Sequence, residues 1–125
     1  MSRNPFGRIE DELAKAFVAF EKEYMGRGPK EATCHVIGDL VLVRLGGVLT
    51  PAEQHLARTA EGIDLVKKMR ANLIEGAKEL VYAVVEDITH RKVRSMHTDL
   101  STQTGERIFV FTLESPPAPE PTGPR

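Results

Sequence analysis

The stretch "HTDLSTQTGERIFVFTLE", residues 97–114, decides which fold the chain adopts. It begins with polar residues, passes through a turn-like segment at residues 101–105 and ends in an extended apolar run. We therefore predict a β-hairpin whose turn places Gly105 in the left-handed conformation. Side chains alternate between the two sides of a strand. The closing strand then carries two apolar sets, Ile108 and Val110 on one side and Phe109, Phe111 and Leu113 on the other.

A second hairpin is predicted at "ATCHVIGDLVLVRLGG", residues 32–47. Two runs of β-branched and aliphatic residues flank the Gly38-Asp39 pair, which suits a two-residue turn. The second run is again apolar on both sides, with Val41, Val43 and Leu45 opposing Leu40 and Leu42. The only cysteine, Cys34, lies in the first run, where we expect a small core side chain. A single cysteine also fits a reducing compartment.

Three segments show helical signals. Apolar side chains recur at steps of three and four over residues 6–25, and a glycine- and proline-containing segment then ends the pattern. Thr50 followed three residues later by Glu53 predicts a capping box at the start of a second helix. From residue 62 to residue 88 the pattern is helical again, and Gly76 either kinks this segment or divides it. Its periodic apolar residues are Leu65, Val66, Met69, Leu73, Ala77, Leu80, Val84 and Ile88.

These elements predict an α+β fold, in the order α-β-β-α-α-β-β, with a four-stranded sheet built from two β-hairpins and helices packed against it. Residues 1–114 form a single domain, and the proline-rich residues 115–125 form a tail that we expect to be disordered. Two strands are apolar on both sides, so both faces of the sheet need a cover. A second copy of the chain is the simplest cover, which predicts a homodimer. In the competing account, the first helix and the long helical segment cover opposite faces.

The overall charge excludes some classes of partner. The chain has 125 residues, with 17 Lys and Arg against 18 Asp and Glu, for a formal net charge of -1. The balanced net charge therefore does not favour binding to nucleic acid. The one basic segment, "HRKVR" at residues 90–94, is also typical of an edge strand whose charges prevent pairing with another sheet. The amino-terminal residues lack the apolar core of a secretory signal, and the longest aliphatic run is "LVLV", residues 40–43. A cytoplasmic domain that does not insert into the membrane is expected.

The polar half of the opening stretch has two interpretations. His97 and Asp99 share one side of their strand, and with Glu106 they could form a site in which a carboxylate orients a histidine. Alternatively, the polar groups of residues 97–106 hold one another in register as a hairpin. The histidines and the cysteine show no metal-ligand spacing, and no hydroxyl or thiol lies in a nucleophile motif, so neither a metal nor a cofactor is predicted.

Three stretches resemble a known family. They are "GRGPKEATCHVIGDLVLVRLGGVLTPAE", "KKMR" and "HTDLSTQTGERIFVFTLE", and together they are similar to the MpsC-like domain, the small soluble component of a bacterial Na+-translocating, membrane-potential-generating system. The resemblance covers about residues 6–113. It implies association with membrane components and supplies no catalytic residues. The polar positions that match are Arg27, Asp39, Glu53, Arg70, His97, Asp99 and Glu106.

Two functional hypotheses follow. The leading one is a non-enzymatic accessory or regulatory domain, homodimeric and without a cofactor, that acts through protein–protein contact. It would be cytoplasmic and could be held at the membrane by a protein partner of the ion-translocating system. The alternative is a sensor or enzyme that uses Arg27, Arg70, His97 and Asp99 to hold a small anion such as a carboxylate or bicarbonate, because bidentate arginine supplies suitable charge and geometry. The candidate ligand- or partner-binding residues are Arg27, Arg70, His97, Asp99 and Glu106.

Overall fold

The computed structural model describes residues 4–120 and confirms the α+β class and the order of elements. The segment between the hairpins contains three helices, because a short helix follows the capping box and the long helical pattern divides. The elements are α1 (Gly7–Met25), β1 (Glu31–Ile37), β2 (Leu40–Gly46), α2 (Pro51–Leu56), α3 (Ala60–Gly76), α4 (Lys78–Thr89), β3 (Val93–Ser101) and β4 (Glu106–Leu113).

The four strands form one antiparallel sheet in the order β1-β2-β4-β3. Each predicted hairpin supplies one edge strand and one central strand, and the two hairpins meet where Val43 pairs with Phe109. Both turns form where the sequence indicates them. Gly38 and Gly105 have φ angles of 62° and 73°, a region that glycine enters without steric cost.

One face of the sheet carries the core. Phe17 of α1 packs on Phe109 and Phe111 of β4, with ring centroids 5.1 and 5.9 Å apart. Helix α3 lies on the same face of the sheet. Its buried Arg70 contacts the loop that follows β2, and α3 and β3 together border a groove. The two helices therefore lie on the same face, and the competing account, in which they cover opposite faces, is wrong.

The other face, here called the open face, is formed by the alternate residues of all four strands. Its apolar centre consists of half-buried side chains from the two central strands, namely Leu40, Leu42, Ile108 and Val110. Ile37 at its edge is 57% exposed. Within residues 4–120, the helices leave this apolar surface uncovered.

The helix boundaries follow local signals. The capping box is complete, because the Glu53 amide donates to the Thr50 hydroxyl at 3.1 Å and the Thr50 amide donates to the Glu53 carboxylate at 2.9 Å. The start of α3 passes so close to the end of α2 that a Cβ on Gly62 would collide with the Leu56 carbonyl oxygen. Only glycine allows this approach. The long helical pattern divides at Ala77, one residue after Gly76.

The first part of the tail, residues 115–120, contacts the domain. Pro117 is buried, the Pro116 carbonyl accepts from Arg91 Nε at 2.9 Å, and the Glu120 amide donates to the Pro5 carbonyl at 2.9 Å. Residues 121–125 of the predicted disordered tail lie outside the described residues. None of the helices in the described part of the chain has the length and apolar character needed to cross a bilayer.

Candidate functional site

Four charged side chains are buried between the sheet and the helices, and we refer to them as the charge cluster. They are Glu21 of α1, Glu53 of α2, Arg70 of α3 and Arg107 of β4, with exposed fractions of 0, 8, 1 and 3%. Two arginines and two glutamates bring formally balanced charge into a region of low dielectric constant. The contribution of each pairing to stability therefore depends on how well its hydrogen bonds offset the cost of desolvation.

Arg70 and Glu53 form the best-paired part of the cluster. Arg70 donates from Nε and Nη2 to the two carboxylate oxygens of Glu53, each at 2.7 Å, in a two-pronged arrangement. Nη2 also donates to the Val48 carbonyl at 3.0 Å. Burial alone would raise the pKa of Glu53, but the hydrogen bonds from Arg70 and the Thr50 amide outweigh it and lower that pKa. Glu53 therefore caps α2 and neutralises Arg70 at once.

Glu21 is held far less well. Its Oε1 lies 3.6 Å from Arg70 Nη1, and neither of its carboxylate oxygens has a hydrogen-bond partner among the described residues. Burial raises the pKa of Glu21, and attraction to Arg70 and Arg107 only partly opposes that rise. The position of Glu21 four residues after Phe17, on the buried side of α1, explains why it is enclosed.

Arg107 links the cluster to the surface. Its Nη1 donates to the Thr98 hydroxyl at 2.9 Å, and its guanidinium carbon lies 5.6 Å from the centre of the Phe109 ring. Its Nε has no hydrogen-bond partner in the described part of the chain. Burial lowers the pKa of Arg107, while the charge of Glu21 opposes that shift. The guanidinium is thus desolvated and only partly paired.

A groove of about 630 Å³ lies between α3 and β3, and Arg107 forms part of its wall. The apolar part of the lining comes from Ala71, Ile74, Met96 and Leu100. Lys67, Lys68 and Lys78 supply positive charge, and Glu75 and Asp99 supply negative charge. This groove is therefore an apolar-floored depression with an excess of cationic groups.

His97 and Asp99, two of the predicted site residues, both line this groove. Asp99 pairs with Lys67 at 3.3 Å and accepts from the Leu100 amide at 2.8 Å, and this backbone hydrogen bond, followed by Lys67, lowers the pKa of Asp99. His97 is exposed and makes no side-chain hydrogen bond within residues 4–120. No carboxylate of the described residues orients this histidine, so they do not assemble the geometry expected of a general base there.

The remaining predicted site residues lie elsewhere. Arg27 donates to the Gly47 carbonyl at 3.1 Å and so joins the segment after α1 to the end of β2. Glu106 accepts from Arg44 at 2.7 Å on the open face. Arg70 is in the charge cluster. Across the described residues, no hydrogen bond or ion pair joins Arg27, Arg70, His97 and Asp99 to one another.

Hairpin structure accounts for the polar residues next to this groove. The Thr104 amide donates to the Ser101 hydroxyl, and the Glu106 amide donates to the Thr104 hydroxyl, each at 3.3 Å. These contacts favour the interpretation in which polar groups hold the hairpin in register. In residues 4–120 no group of three or more His, Cys, Asp or Glu side chains is placed to hold a metal ion. Burial raises the pKa of the Cys34 thiol to about 12, which makes it a poor nucleophile.

An exposed apolar ridge runs along α3. Leu65, Met69 and Leu73 are spaced by four residues and are 52, 46 and 40% exposed, and we call them the helical ridge. Residues at this spacing share one side of a helix. The buried side of α3 is formed instead by Gly62, Val66, Arg70 and Ile74. The helical ridge is thus an apolar surface that the domain does not use for its own core.

Residues 6–115 match the protein family described as "Na+-translocating membrane potential-generating system (MpsC)". The chain is 41% identical over 107 residues to the uncharacterized protein YbcI of Bacillus subtilis (strain 168), and this match covers 86% of each chain. It is 26% identical over 94 residues to the uncharacterized protein YrhF of the same organism, covering 74% of this chain and 77% of that protein. No solved structure matches the chain.

Proposed function

The chain belongs to the MpsC family, and on this premise we propose that it is a non-enzymatic accessory or regulatory domain of a Na+-translocating system. It acts by binding a protein partner on the cytoplasmic side of the membrane. That partner carries the membrane-spanning segments and holds the domain at the membrane surface.

The observation that carries this proposal is the helical ridge. An amphipathic helix that presents residues at i, i+4 and i+8 is a common means of docking into a groove of another protein. Leaving three large apolar side chains about half in water forgoes roughly 1 kcal/mol for each, which a partner's surface would recover. Their clustering on one helix distinguishes them from the scattered exposed apolar residues of ordinary surfaces.

The internal pairing of the charged residues favours this role over catalysis. Arg70 donates from Nε and Nη2 to Glu53 and to a backbone carbonyl, and its Nη1 faces Glu21 at 3.6 Å inside the domain. Arg27 and Glu106 likewise make contacts within the domain. A catalytic site requires polar groups that converge on a place where substrate can sit. These residues instead stabilise the domain that presents the helical ridge.

We further propose that a second copy of the chain covers the open face. Its half-buried centre of Leu40, Leu42, Ile108 and Val110 is continuous across the two central strands, which pair Leu42 with Val110. A homodimer packed through this face would leave both helical ridges outside, because the helices lie on the opposite side of each sheet. Such a dimer could bind two copies of the partner.

Affinity capture from native lysate with identification by mass spectrometry tests the proposal. The wild-type chain should capture a protein with membrane-spanning segments, and the triple variant Leu65→Ser/Met69→Ser/Leu73→Ser should lose it. The matched control Asp64→Ser/Asn72→Ser changes exposed polar positions of the same helix and should retain the partner. Equal capture by the ridge variant and the control would show that the helical ridge does not bind the partner.

A further inference from the structure

We propose that the groove between α3 and β3 is a ligand site for a small organic carboxylate with an apolar body, and that Arg107 forms its inner anchor. This site is separate from the helical ridge and does not depend on the proposed partner contact. The two surfaces lie on different sides of α3, since Lys67 and Ala71 line the groove while Leu65 and Met69 form the ridge.

The first support is the state of Arg107. It is only 3% exposed, lines the groove, and has one side-chain hydrogen bond in the described residues, to Thr98. A guanidinium carries five N–H donors. A buried cation with unused donors is costly, and an anion that accepts from it would restore the missing interactions. Glu21 is the nearby counter-charge, yet neither of its oxygens accepts a hydrogen bond from residues 4–120. The guanidinium therefore has donor capacity for a ligand.

The second support is the charge around the opening. Four cationic side chains and two carboxylates line the groove, and one of those carboxylates, Asp99, is already paired with Lys67. Lys68 and Lys78 are exposed beside it. The surplus of positive charge would raise the local concentration of anions, an effect that weakens with salt.

The third support is the floor. Ala71, Ile74, Met96 and Leu100 line the groove, and the volume of about 630 Å³ lies within the usual range for small-molecule sites. Ile74 and Leu100 are buried, so the apolar surface that a ligand can cover comes from Met96 and Ala71, and an anion without an apolar part, such as inorganic phosphate, would leave these two side chains in water. A carboxylate with a short alkyl chain would satisfy Arg107 at one end and cover the floor with the other. The juxtaposition of charge and apolar surface selects this ligand class.

Titration of the purified chain with hexanoate at low salt, followed by amide and arginine side-chain NMR, tests the proposal. Shifts should be confined to the groove and include Arg107 Nε–H, Thr98 and Leu100. Hexylamine, hexanol and inorganic phosphate are the comparison probes and should bind at least roughly tenfold more weakly, because each lacks either the charge or the apolar chain.

Two variants separate the site from general charge effects. Lys68→Ala/Lys78→Ala should weaken hexanoate binding roughly five- to tenfold, as expected for two exposed ion contacts. The control Lys15→Ala/Arg58→Ala removes two exposed cations that do not line the groove and should bind as the wild type does. Ala71→Phe should fill the apolar floor and abolish binding while leaving every charge in place.

The proposal is overturned if hexanoate causes no shift in the groove, or if phosphate binds as well as hexanoate. Equal weakening by the groove variant and its control would also overturn it. Retained binding in Ala71→Phe would show that the ligand lies elsewhere. The partner-capture experiment tests the helical ridge and not the groove, so a failure to capture a partner would not contradict hexanoate binding.

Discussion

The two glutamates beside Arg70 provide a direct test of how the charge cluster contributes to stability. Replacing Glu53 or Glu21 by glutamine makes the same chemical change, carboxylate to amide, at two buried sites next to one guanidinium. Their geometry differs, because Glu53 accepts two hydrogen bonds from Arg70 at 2.7 Å, while Glu21 lies 3.6 Å from Arg70 and accepts none from the described residues. We expect clearly different outcomes from the two substitutions.

The expected magnitudes follow from these contacts. Removing one partner of a buried pair costs about 3–5 kcal/mol. In Glu53→Gln the amide oxygen of the introduced side chain can still accept one hydrogen bond, so this substitution should destabilise by about 2–3 kcal/mol. Glu21→Gln removes a desolvated charge that has no hydrogen bonds to lose, so it should change the free energy of unfolding by less than about 1 kcal/mol. A chain of this size loses roughly 4 °C of thermal midpoint per kcal/mol.

The pH dependence should distinguish the two sites further. The pKa of Glu53 is lowered in the folded state, so its stabilisation is present at neutral pH and is lost as the pH falls through that lowered pKa. The pKa of Glu21 is raised, so the folded state keeps a proton that the unfolded state releases, and stability falls as the pH rises through this interval. Both differences from the wild type should therefore fade in acid.

Urea unfolding followed by circular dichroism, at neutral pH and in acid, measures both effects. The ratio of the two changes matters more than either value, because the same chain serves as reference. If Glu21→Gln destabilises as much as Glu53→Gln, Glu21 is a strongly paired carboxylate. The geometric distinction between the two glutamates would then be wrong.

Three further substitutions and one deletion test the fold and the assembly. Gly62→Ala should destabilise by about 2–3 kcal/mol in thermal unfolding, because its Cβ would meet the Leu56 carbonyl, whereas Gly76→Ala, with open space around it, should be neutral or stabilising. Light scattering at micromolar concentration should give about twice 13.9 kDa for the wild type and a folded monomer for Val110→Asp; a monomeric wild type would remove the proposed dimer. Deleting residues 115–125 should lower the thermal midpoint by only a few degrees, since Pro117 and the Arg91 hydrogen bond account for about 1–2 kcal/mol; an unchanged midpoint would show that these contacts do not stabilise the domain.

Local signals predict most of the fold. The Gly38-Asp39 turn and the Thr50 capping box depend on residues close together in the chain, and the structure contains both. The alternation in β4 also assigns Phe109 and Val110 to opposite faces correctly. Such patterns are readable because backbone geometry fixes the direction of each side chain.

The charge cluster escapes prediction because it depends on distant parts of the chain. The sequence marks Arg70 only as a family-like position and gives Glu21 no role. A signal does exist, since Glu21 follows Leu13 and Phe17 at steps of four, and Arg107 precedes Phe109 by two. Burial of a charge is recognisable only when its partner is known, and those partners lie on different elements.

The apolar pattern of α3 is equally ambiguous. Leu65, Met69 and Leu73 have the period of a core-facing side, but the buried side contains Arg70 and Gly62, which lower its apparent hydrophobicity. Periodicity alone assigns the wrong buried side to a helix that buries a charged residue and exposes leucines. For this reason the sequence pattern does not predict that the helical ridge is exposed.

The strand order β1-β2-β4-β3 has a consequence for how the chain assembles. Each hairpin closes locally, but the sheet is joined only where β2 meets β4, two strands that lie far apart in sequence. The joint between the hairpins is therefore expected to form late, after α2, α3 and α4 have brought the second hairpin back. A chain cut near Ala77 would yield two fragments, each with its own hairpin and unable to complete a sheet alone. Mixing the fragments should restore the domain through pairing of β2 with β4. Two proteins that each carry one fragment would then reveal their proximity when the domain re-forms.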